Sequence, residues 1–347
     1  MRIRNTLVLG LILLISGCSK TSPLYQDQFI AMGTIYELSL YGIDQQRGQE
    51  ISRLVQEDLK FMEFAWHPWK PGPMGRINQL LASGSEFSIN PSVLPLVIQS
   101  KQLYTSSQGL FNPAIGELVQ MWGFHSDDPS AAQAPTKKQV TEYMQDLPTM
   151  DDIEIDGIRA RGHNPRIRLD FGGFAKGYAV EKILQRLKQQ GVENAILNAG
   201  GDLKAIGRHG DRRWSVAIRN PHHSGIVGSI EVGDGESVFT SGNYERFYQD
   251  GQKRVHHILD PGTGFPAPVI ASPTVIHDDA AVADAAATAL FVAGPGRWWE
   301  IARSMGIRYV LLVDEDGLIH MNPEMAARVR LELPLEINPN ISDPLNK

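Results

Sequence analysis

Cysteine is almost missing from the chain: Cys18 is the only one in 347 residues. The body of the protein therefore has no disulfide and no cysteine nucleophile, and in an oxidising compartment its core alone must hold it together. Excess positive charge is missing too. The formal net charge is −6, which excludes nucleic acid as a partner, because a phosphate backbone wants a basic face. An acidic protein that takes up a polyphosphate needs a metal ion or locally placed cations to offset the repulsion. The apolar run at residues 7–15 is too short to span a bilayer, which takes about 20 residues. No internal repeat, low-complexity linker or charge block divides the chain. What remains, 42% hydrophobic and 21% charged, suits a soluble globular protein with a sizeable core, and one domain accounts for it most simply.

Arg2 and Arg4 precede the apolar run, and Ser16, Gly17 and Cys18 follow it. A positive segment, a short apolar segment and small residues make a secretory signal. Ile15-Ser16-Gly17-Cys18 resembles a bacterial lipobox, in which Cys18 becomes the lipidated first residue; the plainer alternative is a cleaved signal with an incidental cysteine. The expected organisation is a lipoprotein signal peptide (residues 1–17), a lipidated polar tether (18–28), a folded domain (29–337) and a disordered tail (338–347). The tail is read from Pro339, Asn340, Ser342, Asp343 and Pro344. The expected location is a membrane surface facing the periplasm.

Residues 35–41 are rich in strand formers, and Ile51, Leu54, Val55, Leu59 and Met62 recur at helical spacing up to His67-Pro68. A second helix runs from Val93 and stops before Gly109, and residues 167–170 read as a strand entering Phe171-Gly172-Gly173. The helix after that turn carries Val180, Ile183, Leu184 and Leu187 on one face and ends at Gly191. Short strands follow at 195–197, 214–218, 229–232, 238–240, 255–259 and 274–276, then an alanine-rich helix at 280–293 and a hairpin over 309–321. Strands in clusters with helices between them predict an α+β fold.

The chemistry lies in glycine-rich turns beside acids. Asp170-Phe171-Gly172-Gly173-Phe174-Ala175-Lys176-Gly177 sets an acid at a strand end, glycines in the turn and a lysine in the first helical turn. Such a turn offers backbone N–H groups to an anion, or it is a tight strand–helix junction packed through glycine. The glycine–lysine spacing is wrong for a Walker loop. Asn198-Ala199-Gly200-Gly201-Asp202 is a second such turn, better read alone as structural. In Val255-His256-His257-Ile258-Leu259-Asp260 the paired histidines point to opposite faces of a strand, so at most one faces a given site. Zinc is not indicated, for want of cysteine or helical histidine spacing. Asp284 and Thr288 stand four residues apart on the alanine-rich helix and share a face. Either Asp284 points to solvent, or acid and hydroxyl hold a hard cation through oxygen, as magnesium is held.

In this order the segments resemble the ApbE family, the FAD:protein FMN transferases, from Met32-Gly33-Thr34 to about Gly294. The likeness is carried by the ordered set, which also includes Gly109-Leu110-Phe111-Asn112-Pro113, Trp122-Gly123-Phe124, Thr240-Ser241-Gly242 and His257 to Gly264. The resemblance implies a single α+β domain with mixed and antiparallel sheets and packed helices. It implies a Mg2+-dependent transfer of the FMN half of FAD to a threonine or serine hydroxyl of a partner protein, with AMP leaving. By similarity Asp284, Thr288 and the carbonyl of Gly173 would hold magnesium. Met32, Trp69, Leu110, Phe111, Asn112, Asp170, Lys176, His257 and Ile258 would line the flavin nucleotide. The partners implied are FAD, membrane redox-complex subunits of the Nqr/Rnf kind, and membrane lipid through Cys18.

Phosphoryl transfer needs charge neutralisation, placement and a leaving group, with little covalent work from the protein. His257 is either the base for the acceptor hydroxyl, since an unperturbed imidazole titrates near neutral pH, or a binding residue. Asp260 either orients it or caps the Pro-Gly turn. Asp284 is expected to be an exposed ligand whose loss leaves the fold intact. The chain departs from the family at Trp69-Lys70-Pro71-Gly72-Pro73, where Tyr with an Asp-Ser pair is usual. It departs again at Asn112, where Asp is common, and at Gly262, where a basic residue is usual. Two other functions use the same residues: an FAD pyrophosphatase giving FMN and AMP, and an FAD-binding lipoprotein without chemistry.

Overall fold

The strands Leu24–Ala31 and Thr34–Tyr41 pair antiparallel through a two-residue turn at Met32-Gly33. Both turn residues have positive φ, 48° and 74°, the geometry that matches the twist of a tight hairpin and that glycine accepts freely. Met32 accepts it at a cost. Along the second strand Tyr36, Leu38 and Leu40 are buried while Glu37 faces out toward Gln28, the period-two alternation of a half-buried strand. The computed structural model describes residues 23–126, 128, 132–332 and 338–345. The signal segment and Cys18 lie outside the described residues.

Among the described residues this hairpin edges a nine-stranded sheet. It continues through Ala195–Ala199, Asp202–Ile206, Ser237–Thr240, Ile270–His277, Tyr309–Asp314, Ile319–Met321 and Asn340–Ile341. Every neighbouring pair is antiparallel except the last. The helices Ala175–Gln189 and Ala280–Ser304 pack on one face. A three-stranded sheet of Trp214–Arg219, Ile226–Val232 and Arg330–Leu331 covers part of the other. Strands covered on both faces lose their alternation, as Asp202–Ile206 and Ile270–His277 do. A third cluster gathers Trp122, Phe124, Val140, Tyr143, Tyr248 and Leu259. The α+β class and the single domain stand. Among the described residues no helix is long and apolar enough to cross a membrane.

Three boundaries differ from the sequence reading. Residues 24–28 belong to the first strand and not to a tether, because they pair in register with Glu37 to Tyr41 and Tyr25 packs over Gly48. The assigned tail is tied down in part: Asn340–Ile341 adds to the sheet, Trp299 donates to the Asp343 carbonyl at 2.9 Å, and Leu345 is buried. Residues 167–170 form only an isolated bridge, Ile115↔Arg168. The amide of Asn78 stands in for a neighbouring strand, accepting from Leu169 N at 2.8 Å and donating to its carbonyl at 3.0 Å.

Candidate active site

Two helices meet at a point where only glycine fits. A Cβ on Gly177 would overlap the Ala280 carbonyl and lie 2.7 Å from Asp284 Cβ. The close approach lets Gly177 N donate to Asp284 Oδ2 at 2.8 Å. It also lets Glu181 accept from Ala280 N at 2.9 Å while pairing with the buried Lys204 at 2.9 Å. Asp284 is thus 5% exposed, which corrects the expectation of an exposed ligand. The alanines around it exist to allow the crossing. Burial, with Asp202 and Glu245 nearby, pushes its carboxyl well above the usual carboxylate range against the pull of Lys176 and Gly177.

A cavity of about 470 Å³ opens over this crossing, in the seam between the main core and the third cluster. Met32, Leu110, Phe111, Ile258 and Phe124 supply its apolar side. Lys176, Asp170, Glu245, Arg246, Asp284 and Thr288 supply the polar one. Of the residues singled out from sequence, Met32, Leu110, Phe111, Asn112, Asp170, Gly173, Lys176, His257, Ile258, Asp284 and Thr288 all line it. Trp69 does not. It stands in the wall of a neighbouring groove, under the guanidinium of Arg168 at 4.1 Å, while its side chain reaches Asp170 of the cavity wall.

Several of these side chains do different work from that expected. Lys176 is held by Asp202, whose other oxygen accepts from Thr240 N at 2.8 Å. Burial pulls the ammonium pKa down, but Asp202, Glu245 and Asp284 together raise it above the ordinary lysine range, so the cation is permanent. Ala175 and Lys176 at the start of this helix line the cavity, but Ala175 N is taken by the Phe171 carbonyl at 2.8 Å and Gly177 N by Asp284, so the ammonium of Lys176 is what this end of the helix offers an anion. Asn112 is buried with its amide committed to Pro148 O at 3.0 Å and Ala114 N at 3.1 Å; it shapes the wall. Asp170 accepts from Gly172 N at 2.8 Å. Asp260 caps its turn through Gly262 N at 2.7 Å and Thr263 Oγ1 at 3.0 Å.

His257 lines the cavity while His256 turns inward against Phe291 and the Ala267 carbonyl; the strand expected at 255–259 is Lys253–His256, so His257 takes its direction from the bend just after the strand. What orients His257 is the Arg246 carbonyl, 3.1 Å from Nδ1. A carbonyl only accepts, so Nδ1 carries the proton and Nε2 keeps its lone pair. Burial and the Arg246 charge pull the imidazole below its usual range. It is therefore neutral at physiological pH, a correction to the near-neutral titration assumed from sequence.

The residues assigned to magnesium line one part of the cavity. Thr288 Oγ1 lies 3.3 Å from the Gly173 carbonyl and 3.4 Å from Ser241 Oγ, and it also contacts the backbone carbonyl of Asp284 one helical turn before it at 3.4 Å. A Cβ on Gly173 would stand 3.2 Å from that hydroxyl, so glycine there keeps the carbonyl within reach. Among the described residues no three His, Cys, Asp or Glu side chains group around one ion position. One carboxylate with neutral oxygens is nonetheless what a magnesium ion sharing its shell with water and phosphate takes. Acids also outnumber bases around the pocket, which suits a divalent cation entering with an anionic ligand.

Asp202, Glu245, Arg246 and Ser241 were not singled out as site residues. Asp202 ends the glycine turn at 198–202, and Ser241 lies within Thr240-Ser241-Gly242. Glu245 and Arg246 had no signal beyond following that triplet in the chain.

The ApbE family profile matches residues 32–311. The chain belongs to the ApbE family. It is 39% identical over 89% of its length to an FAD:protein FMN transferase of Rhodobacter capsulatus, of which it spans 59%. It is 27% identical to one of Klebsiella pneumoniae, covering 89% of this chain and 91% of that one. Among solved structures it is similar to the ApbE protein of Thermotoga maritima, with a TM-score of 0.81, 26% identity and coverage of 89% of this chain and 100% of that one. The flavinyl transferase ApbE of Pseudomonas stutzeri gives 0.77 at 27% identity, covering 88% and 96%. Of the site residues that the resemblance assigns, all but Trp69 line one cavity.

Proposed function

We propose that the protein is an FAD:protein FMN transferase that moves FMN from FAD to a threonine or serine hydroxyl of a partner protein, releases AMP and depends on Mg2+. The observation that carries this reading is the convergence of Asp284, Thr288 and the Gly173 carbonyl beneath an apolar slot, beside the held cation of Lys176. Asp284, Thr288 and Gly173 would hold the ion, which when bound neutralises the diphosphate and makes AMP a better leaving group. Lys176 binds the phosphates and places them in line. Met32, Leu110, Phe111 and Ile258 hold the flavin and keep water out. His257 accepts the proton of the acceptor hydroxyl at Nε2 as its oxygen bonds to the FMN phosphorus and the bond to AMP breaks. Its lowered proton affinity makes it a weak base in the empty site, and the arriving negative charge raises that affinity.

Mass spectrometry of a candidate acceptor mixed with FAD, Mg2+ and this protein tests the reading. One added FMN with equimolar AMP is expected. Rapid steady AMP release without any acceptor would replace it with an FAD pyrophosphatase. Tight FAD binding indifferent to Mg2+ and to Asp284→Asn would leave only a flavin carrier. On the same reading Cys18 carries lipid and holds the enzyme on a membrane facing the periplasm. There the extracytoplasmic subunits of Nqr/Rnf-like redox complexes would be its partners. Cys18→Ala should then release the protein from membrane fractions.

A further inference from the structure

A second concavity, a groove of about 810 Å³, lies on the other side of the segment that walls the active cavity. Pro113 and Ile115 face the cavity, whereas Glu117 and Gln120 face the groove. The groove reverses the charge of the molecule. Among the described residues Lys70, Arg76, Arg166 and Arg168 line it with Glu117 as the one acid, on a chain whose net charge is −6. Glu117 is already paired with Arg166 at 3.2 Å. Arg168 stacks on Trp69 and donates to Gln120 at 3.1 Å, yet its buried Nε has no acceptor. Among the described residues no acid pairs with Arg76, which is exposed.

The groove is also preformed. Pro68, Pro71 and Pro165 fix its rim. Gly72 and Gly75 let backbone close on backbone, since a Cβ on either would lie 2.7 Å from the Phe64 or Lys70 carbonyl. It meets the active cavity at a shared rim: Phe124 lines the cavity, and the next residue, His125, packs its ring on Trp69 at 5.7 Å.

We propose that this groove docks an acidic segment of the acceptor polypeptide beside the hydroxyl that receives FMN. The inference rests on the transferase reading, because only an enzyme whose second substrate is a protein needs such a surface next to its cavity. An acidic partner would be repelled by most of this molecule and drawn to this face, which steers the encounter and sets orientation. A concave, proline-rimmed groove suits an extended peptide better than a flat lipid surface, and the net charge disfavours nucleic acid.

The test uses the full chain with FAD and Mg2+ and two labelled synthetic peptides sharing one central threonine, one flanked by aspartates and the other by lysines. Anisotropy should show the aspartate peptide binding and weakening with salt. Arg76→Glu should weaken it by at least about tenfold, and Arg76→Glu with Gln79→Glu by more, while flavin fluorescence shows unchanged FAD affinity. Equal binding of the lysine peptide, no binding of the aspartate peptide, or indifference to Arg76→Glu would overturn the proposal. So would Arg76-dependent binding to phosphatidylglycerol vesicles in place of the peptide. AMP release and FMN addition are read in parallel with other acceptors. Their absence alongside charge-dependent peptide binding would count against the transferase reading and leave the groove an acidic-peptide site.

Discussion

At the charged end of the cavity Lys176, Asp202, Asp284 and Thr288 are held by helices and a strand, with Gly173 in the turn that leads into one of the helices. Gly177 and Asp284 come from crossing helices, Lys176 is pinned by a strand-end aspartate, and Asp202 is itself fixed by Thr240. The mouth is assembled otherwise, from a hairpin turn with Met32 at positive φ and a loop that offers Arg246 through contacts to the Phe124 and Ser126 carbonyls. On the transferase reading, the contrast puts the phosphate-binding groups mostly on rigid elements, where small displacements are costly, and the flavin contacts on turns. It also explains why single residues at the rigid end serve fold and chemistry together.

The largest effect should come from separating those two duties. Asp284→Asn keeps an acceptor for Gly177 N but removes a buried charge that the metal-free fold disfavours. Transfer should fall roughly 10²–10³-fold with metal-free thermal stability equal or higher, and Mg2+ should no longer raise the melting temperature. Asp284→Ala should lose as much activity and also about 1–3 kcal/mol, since Gly177 N–H is left unpaired in a buried site. Equal stability of the two variants would break the claim that Asp284 is structural as well.

Gly177→Ala drives a methyl into the Ala280 carbonyl. A loss of about 3 kcal/mol in urea unfolding, at the upper end of overpacking costs, is expected together with lost transfer. Unchanged stability would mean the helices are free to separate, and the rigid side of the comparison would fail.

The histidine pair supplies a pH test. Burial lowers His256 to about 4 despite its bond to the Ala267 carbonyl, and His257 is shifted the same way. Between pH 6.5 and about 4 the unfolded chain binds protons that the folded His256 does not. Its contribution is therefore complete above the unfolded value and is lost as pH falls through the folded one. The slope is about 1.4 kcal/mol per pH unit for one proton. Denaturation across that window in His256→Phe should show a shallower acid slope than the parent, and an identical slope would place the titration elsewhere.

The smallest change belongs to the mouth. Met32→Gly relieves a strained φ but loosens the unfolded chain, so stability should move by less than about 1 kcal/mol. FAD affinity should drop a few-fold with the lost apolar flank, as flavin fluorescence would show. A large stability loss would make the turn as rigid as the helix crossing.

The sequence by itself determined the elements with strong periodicity: the helix ending at His67, the helix after Gly173 and the alanine-rich helix. It marked most of the cavity's lining through its resemblance to the family, which the ordered glycine turns beside acids carry. Burial and partnership it did not decide. That Asp284 is enclosed, that Lys176 is held by Asp202, and that Asn112 spends its amide on the backbone all depend on contacts between residues distant in the chain. Trp69 shows the same limit: the resemblance assigns it to the flavin site, and only the fold shows that it lies under Arg168 in the wall of the neighbouring groove. Helical phase and strand alternation are local and can be read along the chain. The proton affinity of a carboxylate or imidazole is set by the charges and dielectric brought around it, and those exist only once the chain has closed on itself.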